Sequence, residues 1–474
     1  MANGKSHEAD GEDIRPLGIY SFKWTKDHTP KDETDPLRFQ HDELGSATVD
    51  KIQEIHAREQ EARKEQGEQV EKLDMFATLK ANRDRDGTLN EFWNQVNSVP
   101  EWVDWEQLER GQRFFYRYAV GNIIGFALQG FVGENSASTS VVEVLLRTGG
   151  FSTRSLRRRL LETFQFVLEV THSLDFIKPG GKGHETTVRA RLLHSMVRQR
   201  LLRVAEAKGP SYYDTSVYGI PVNTLDSIHS ITTFSCNHAW KQLPPMGIRP
   251  SQGEIDDYIA LWRYVAHVIG TPTHFFETSS QAKALMESLS YTELQITPSS
   301  VIIGHNFVEA LKDLPPMNVS AGFIQAGSRR LNGDDVCDGL GMGKPGWYPY
   351  ACFKGHCWLV TALVTAQRLF PWFDEWSIQF YRETLHHTII HSEYSLKGGS
   401  LLDFKYVPDG RVTGREKNDR PDGDRMWFYQ RPLELFYFVI FCGGCLSILG
   451  STMVAAWIVL VVFRHNECCG YFSL

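Results

Sequence analysis

The feature that most constrains this chain is an uncharged run of 29 residues near its C-terminus, Leu435 to Phe463. About 20 apolar residues suffice to cross the hydrocarbon core of a bilayer, so the run predicts one transmembrane helix with room for tilt. The alternative, a buried helix of a soluble domain, would need a polar face wherever it met water. Arg420, Arg425 and Arg431 precede the run and Arg464 alone follows it, which predicts a cytosolic N-terminal side.

The N-terminal sequence argues against a secreted protein, and the overall charge argues against a nucleic-acid-binding protein. Residues 1–16 carry several charges and no apolar segment, so we expect no secretory signal peptide. The formal net charge is −7, which offers no general basic surface for nucleic acid. We therefore expect a membrane partner and no nucleic-acid partner.

Composition divides the chain into five parts. Residues 1–75 are polar and are predicted to be a partly disordered extension. Residues 76–400 are predicted to form an all-α domain, because apolar residues recur at helical spacing without a convincing strand. A polar linker over 401–432, an anchor over 433–465 and a short tail over 466–474 complete the chain. Within the domain we expect helices at 138–147, 153–170, 186–208, 255–268, 279–289, 300–311, 356–369 and 376–389.

The segment from Thr186 to Lys208 reads as an amphipathic helix with one unusual residue. His194 shares its apolar face with Ala190, Val197 and Leu201, at spacings of four, three and seven. A buried neutral imidazole needs a partner for at least one ring nitrogen. A backbone carbonyl and a metal ion both meet that need, so the pattern alone leaves both interpretations open.

Two helices before His194 carry further candidate residues. Glu143 is flanked by valines and leucines, a setting that suits a general base, although a lone glutamate more often pairs with arginine or faces solvent. Arg159, Glu162 and Thr163 share one face of the next helix, at spacings of three and four. An intrahelical Arg159–Glu162 ion pair explains that spacing equally well.

The order Val-Arg-x-Arg-Leu-Leu-His-x-x-Val-Arg around His194 resembles the histidine helix of the latex clearing proteins (rubber oxygenases). It is also similar to the related fungal ER-bound oxygenases of the mycophenolic acid pathway type. Arg159-Leu-Leu-Glu-Thr163 falls where the family has its arginine and threonine, and Glu143 falls sixteen residues before Arg159, where the family has its catalytic glutamate. The resemblance covers roughly residues 100–390.

The resemblance implies a globin-like helical core around haem b, with His194 as the proximal ligand of the iron. It implies that dioxygen cleaves a carbon–carbon double bond of a hydrophobic isoprenoid or prenylated substrate, in secondary metabolism at the endoplasmic reticulum. Glu143 would act as the base, and Arg159 and Thr163 would position it or the bound oxygen. Glu162 departs from the family, because it replaces a lysine that can serve as a distal ligand. A glutamate cannot supply that nitrogen.

Two other functions remain open on the sequence. A non-haem iron oxygenase would use carboxylates and histidines on helices, for which Glu383, His386 and His387 are the nearest candidates. A non-catalytic, tail-anchored scaffold would fit the charged N-terminal segment and the replaced lysine.

Overall fold

The structure is a computed structural model, described here for residues 7–9, 12–69, 72–149, 151–314, 318–402 and 430–470. Most of the predicted polar linker, residues 403–429, and the end of the predicted tail, residues 471–474, lie outside the described residues. The described chain is mostly helical, which confirms the predicted fold class.

The strands are β1 His7–Ala9, β2 Glu12–Leu17 and β3 Tyr20–Lys23. The α-helices are α1 Lys31–Thr34, α2 Glu43–Glu65, α3 Met75–Asn82, α4 Gly87–Asn97, α5 Trp105–Arg117, α6 Ala119–Gly125, α7 Thr139–Arg147, α8 Thr153–His172, α9 Leu174–Ile177, α10 Lys182–Lys208, α11 Thr215–Tyr218, α12 Thr224–Phe234, α13 Gln252–Ile269, α14 Ser279–Glu293, α15 Pro298–Leu311, α16 Ala321–Asn332, α17 Asp334–Gly339, α18 Trp347–Leu369, α19 Pro371–His386 and α20 Pro432–Gly470. Three π-helical segments, Phe126–Asn135, His238–Gln242 and His387–His391, and three 3₁₀ segments, Asp35–Phe39, Pro244–Met246 and His274–Phe276, complete the helical part.

A small antiparallel sheet lies at the N-terminus, within the segment that the sequence predicts to be a polar extension. Strands β2 and β3 form a hairpin in which Leu17 pairs with Tyr20, and Gly18 turns the chain with a φ of +61° that favours glycine. Phe22 of β3 is buried and stacks on His28, with ring centroids 5.2 Å apart. The alternating signal was too short to stand out among the surrounding charges.

The helical domain contains two large hydrophobic clusters. The first gathers buried residues of α2, α4, α5, α10, α12, α13 and α14. The second gathers buried residues of the π-helix 126–135, α7, α15, α16, α17 and α18, together with Tyr437 of α20. Helix α8 contributes to both clusters, through Val167 in the first and Leu156 in the second. The region between the clusters is where the candidate site lies.

Helix α10 is fixed from the side that carries its arginines. Arg191 forms a paired ion contact with Asp42, the residue that caps α2, at 2.7 and 2.8 Å. Arg189 does the same with Asp74, which caps α3, at 2.7 and 3.1 Å. Two-pronged arginine–carboxylate contacts fix orientation as well as distance. The N-terminal segment therefore fixes the rotation of α10 about its axis, and with it the direction in which His194 points.

Helix α20 joins the domain instead of leaving it directly. Its first turns pack along α18, and Gly355 permits this contact because a Cβ there would lie 1.9 Å from the carbonyl oxygen of Tyr437. Glu434 is buried and accepts a hydrogen bond from the backbone N–H of Ser320. From Leu446 to Trp457 the helix is exposed along its whole surface. One described segment, Pro432–Trp457, is long and apolar enough to cross a membrane.

Candidate active site

A cavity of about 300 Å³ lies where α7, α8, α10, α12 and the π-helix 126–135 meet. Five phenylalanines supply most of its aromatic wall: Phe126, Phe131, Phe151, Phe166 and Phe234. Its polar side chains include His194, Arg159, Glu162, Thr163 and Asp226. An apolar chamber with a few convergent polar groups is the usual form of a small-molecule site.

His194 faces this cavity from the middle of α10, as the helical pattern predicted. Burial, together with the nearby charge of Arg198, lowers the pKa of the imidazole to about 4. The ring is therefore neutral at physiological pH. Within the described part of the chain, the His194 ring makes no hydrogen bond and stacks on no aromatic ring. A neutral imidazole that points into a cavity without a partner is free to bind a metal ion.

Arg159, Glu162 and Thr163 lie together at the α8 wall, so the structure brings together the group that shared a face in the sequence. Nη1 of Arg159 lies 2.7 Å from Oε2 of Glu162, and Nε of Arg158 lies 3.0 Å from Oε1. The hydroxyl of Ser400 also donates to Oε1, at 2.8 Å. Thr163 donates its hydroxyl to the carbonyl of Arg159 at 3.0 Å. The Glu162 carboxylate is thus buried and neutralised by two guanidinium groups.

Glu143 is buried on α7, but it does not belong to the described lining of the cavity. Val141, Val144 and Leu145 face the cavity instead. The Glu143 carboxylate accepts a hydrogen bond from Ser299 at 2.7 Å and lies 2.9 Å from the Arg147 guanidinium. In this arrangement α7 presents Glu143 to α15, on the side away from the chamber.

Asp226 is a carboxylate in the cavity wall that the sequence did not single out. It is the third residue of α12, where it receives the N–H of Asn223 in a capping box, and Ser140 donates a hydroxyl to it. Burial raises the pKa of Asp226 from 3.8 to about 6, although both hydrogen bonds lower it. The available signal was Asn223-Thr-Leu-Asp226 ahead of an apolar stretch, which is a typical helix start.

Asp226 should make stability depend on pH. Because its pKa is raised on folding, the folded protein holds a proton more tightly than the unfolded chain between 3.8 and about 6. The stability from this group is greatest at low pH and is lost as pH rises through about 6. We expect the ionisation of Asp226 to lower the free energy of unfolding by about 1.4 kcal/mol as pH rises from about 5 to about 7.5.

The change that tests this expectation is Asp226→Asn, because an amide can still accept from Asn223 and donate to Ser140. Urea unfolding of the detergent-solubilised protein at both pH values should show a smaller pH dependence in Asp226→Asn. The matched control Asp84→Asn, at an exposed carboxylate, should keep the original dependence. An unchanged dependence in Asp226→Asn would contradict the expectation.

The cavity wall formed by the π-helix is fixed from behind by a buried charged cluster. Glu134 accepts from Lys241 and Asn237 at 2.7 Å each and lies 2.8 Å from the imidazole of His229. Burial alone would raise the pKa of Glu134, but Lys241 and His229 outweigh it and keep the pKa below its ordinary range. π-helical turns are rare in proteins, and these contacts connect Glu134, near the end of this one, to the rest of the domain.

A second cavity, of about 1060 Å³, lies on the far side of the π-helix. It is larger, and the β2–β3 turn forms part of its wall. None of the residues predicted for the active site lies in its described lining. Size alone therefore does not identify the active site in this protein.

The alternative iron site on α19 gains no support from the geometry. Rings of His386 and His172 lie 5.1 Å apart, and His387 and His391 lie 6.0 Å apart. Across the described residues there is no group of three or more His, Cys, Asp or Glu side chains placed to hold a metal ion. These histidines form an aromatic cluster beside Phe176.

Comparison with known proteins gives three matches. Residues 116–362 match the family model described as ER-bound oxygenase mpaB/B'/Rubber oxygenase, catalytic domain. A rubber oxygenase from Streptomyces sp. (strain K30) is 25% identical over 271 residues, which cover 54% of this chain and 61% of that protein. The latex clearing protein LCP in its closed state has a similar fold, with a TM-score of 0.54 and 20% identity over 73% of this chain and 91% of that one.

The matched part has clear limits. The chain spans less than two thirds of the length of the Streptomyces protein. The family match contains all five predicted site residues, from Glu143 to His194, and it ends within α18, before α19 and α20.

Proposed function

Since the chain belongs to the family of ER-bound oxygenases and rubber oxygenases, we propose that it is a membrane-anchored haem b oxygenase. Its reaction would be the oxidative cleavage of a carbon–carbon double bond in a hydrophobic isoprenoid or prenylated substrate. Membership of an oxygenase family also makes the chain an enzyme, so the scaffold alternative is wrong.

The observation that supports this proposal is the free imidazole of His194 in a chamber walled by phenylalanines. Haem b is a flat, largely apolar macrocycle whose iron accepts a neutral imidazole nitrogen. The site fits the group on both counts, because the wall is aromatic and the lowered pKa keeps His194 unprotonated. His194 would hold the iron, and a bound haem would supply the activation of dioxygen.

The remaining residues of the chamber have roles that follow from their contacts. Glu162 cannot replace the family's lysine as a nitrogen ligand, and its ion pairs with Arg158 and Arg159 hold it in the wall. We propose that Arg159 and Thr163, on the same helix face, position the catalytic base or dioxygen by hydrogen bonds. The phenylalanines would exclude water and hold an apolar substrate.

Two carboxylates are candidates for the base that removes an allylic proton. Glu143 has the position that the family pattern assigns, and we propose it as the base. The proposal requires its side chain to turn from Ser299 toward the chamber when substrate binds. Asp226 is the competing candidate, because it already lines the chamber and its pKa of about 6 suits proton transfer near neutral pH.

The apolar helix α20 supports a location at a membrane. We propose that it spans the endoplasmic reticulum membrane once, with the catalytic domain in the cytosol, and that the protein acts in secondary metabolism like the fungal branch of the family. The arginine excess before α20 supports this orientation. An isoprenoid substrate partitions into the bilayer, next to the domain that would use it.

The absorption spectrum of the purified full-length protein tests the cofactor. We expect a Soret band with about one haem per chain, because one imidazole faces the described chamber. Bound iron without a Soret band would favour the non-haem alternative, and the lack of both iron and haem would contradict the proposal. Carbonyl products formed from a prenylated substrate and dioxygen would then support the reaction class.

A further inference from the structure

An exposed aromatic surface lies at the turn between α18 and α19. We call it the aromatic corner and define it by Leu369, Phe370, Trp372, Trp376 and Phe380. The side chains of Trp372 and Trp376 are 71% and 56% exposed. The ring of Trp376 stacks between those of Phe373 and Phe380, with centroids 5.8 and 5.2 Å away. Single exposed apolar residues are common, but a continuous stacked row of this size marks a contact surface.

The opposite side of α19 explains why the aromatic side faces outward. Asp374 is buried and forms a paired ion contact with Arg117 of α5, at 2.9 and 2.5 Å. Glu375 accepts from Arg113 of the same helix at 2.7 Å. Both acidic side chains in the first turns of α19 are therefore paired with arginines of α5, although Glu375 stays half exposed beside Trp376.

The aromatic corner lies at the end of the domain toward which α20 leaves. Helices α18 and α20 run side by side in the same direction, since Tyr348 meets Phe438 and Trp358 meets Phe441. Beyond Trp358, α18 continues for about three turns to the corner. Gly444 of α20 lies beside Trp358. From there α20 continues over a similar length, and its exposed part ends at Trp457. The aromatic corner and the exposed part of α20 therefore lie at the same end of the domain.

We propose that the aromatic corner inserts into the interfacial layer of the same bilayer that α20 crosses. This inference rests on the proposed anchoring by α20. Tryptophan favours the boundary between headgroups and acyl chains, because its ring is apolar and its N–H can remain hydrated, and phenylalanine contributes to the apolar face of interfacial helices. Arg368 directly precedes the corner in sequence and donates to the Arg249 carbonyl at 2.7 Å, so a positive charge lies next to the corner, as anionic lipid headgroups would favour.

Tryptophan quenching in the full-length protein tests the contact. The protein is reconstituted into phosphatidylcholine vesicles with or without bromine on the acyl chains, and the quenched part of the emission is measured. The variant Trp372→Phe/Trp376→Phe removes two of the twelve tryptophans but keeps apolar rings, so the fold and the contact should persist. We expect its quenched emission to be lower than that of the wild type.

Two further variants separate the corner from the anchor. Trp457→Phe reports on α20 and should also lower the quenched emission. Trp102→Phe, which removes a half-buried ring under Arg263 near the far end of α5, should leave it unchanged. A loss with Trp457→Phe but none with the corner variant would overturn the corner contact while leaving α20 in the bilayer. No quenching in the wild type would overturn the anchoring itself. If the corner tryptophans are not quenched and the protein sediments as a dimer, the corner contacts a second copy of the chain instead of the bilayer, and the proposal is overturned.

Discussion

His194→Ala should yield a folded protein that retains little haem after purification. The imidazole is the only one in the described wall of the chamber, so alanine removes the nitrogen ligand and leaves an apolar surface. The neutral ring makes no hydrogen bond among the described residues, so its loss should cost the fold only its packing contacts. The measurement is haem per chain from the Soret absorbance, with circular dichroism to verify folding.

A matched control and a rescue make this prediction specific. His305→Ala, at an exposed histidine of α15, should keep the wild-type haem content. His194→Gly should recover a Soret band when imidazole is added, because a small ligand can occupy the vacated space. A normal haem content and an unchanged spectrum in His194→Ala would show that His194 does not bind the iron.

Glu143→Gln should lower product formed per haem by ~10²–10⁴-fold while leaving haem content unchanged, because general-base assistance contributes about that much. Glutamine keeps the acceptor for Ser299 and loses only the charge beside Arg147. An ion pair of this helical type contributes about 0.3–0.5 kcal/mol, so the fold should persist. The measurement is turnover per haem at matched, saturating substrate.

The comparison with Asp226→Asn decides which carboxylate acts. If Glu143 is the base, Asp226→Asn should retain most of the turnover, and its effect should appear in the pH dependence of stability alone. Equal turnover in wild type and Glu143→Gln would remove Glu143 from the mechanism. A large loss confined to Asp226→Asn would assign the base to the residue that the structure already places in the chamber.

The helices of the domain were predictable because their apolar faces follow the helical period. The prediction of 186–208 corresponds to α10, and its apolar face placed His194 correctly toward the interior. The Arg159–Glu162 ion pair was also foreseeable from spacing, since residues three apart on a helix are neighbours. These features depend on local sequence alone.

Other features depend on contacts that sequence spacing does not contain. The helix over 139–147 was predicted, but which neighbours Glu143 would meet depends on Ser299, 156 residues away. The π-helix 126–135 has the same composition as a buried α-helix, and its register is held by Lys241 and His229 from elsewhere in the chain. Asp226 was not singled out from the sequence, because its burial arises only when α12 packs against α7.

The burial of the first turns of α20 bears on how the enzyme would encounter its substrate. Tyr437 and Glu434 belong to the interior of the domain, so α20 cannot swivel freely beneath it. Where α20 crosses a bilayer, the chamber would keep a constant height and tilt above the lipid. Substrate would then arrive by diffusion in two dimensions, and the rate would follow its mole fraction in the lipid instead of its bulk concentration. Diluting the membrane with inert lipid would slow such an enzyme, whereas diluting the aqueous phase would not.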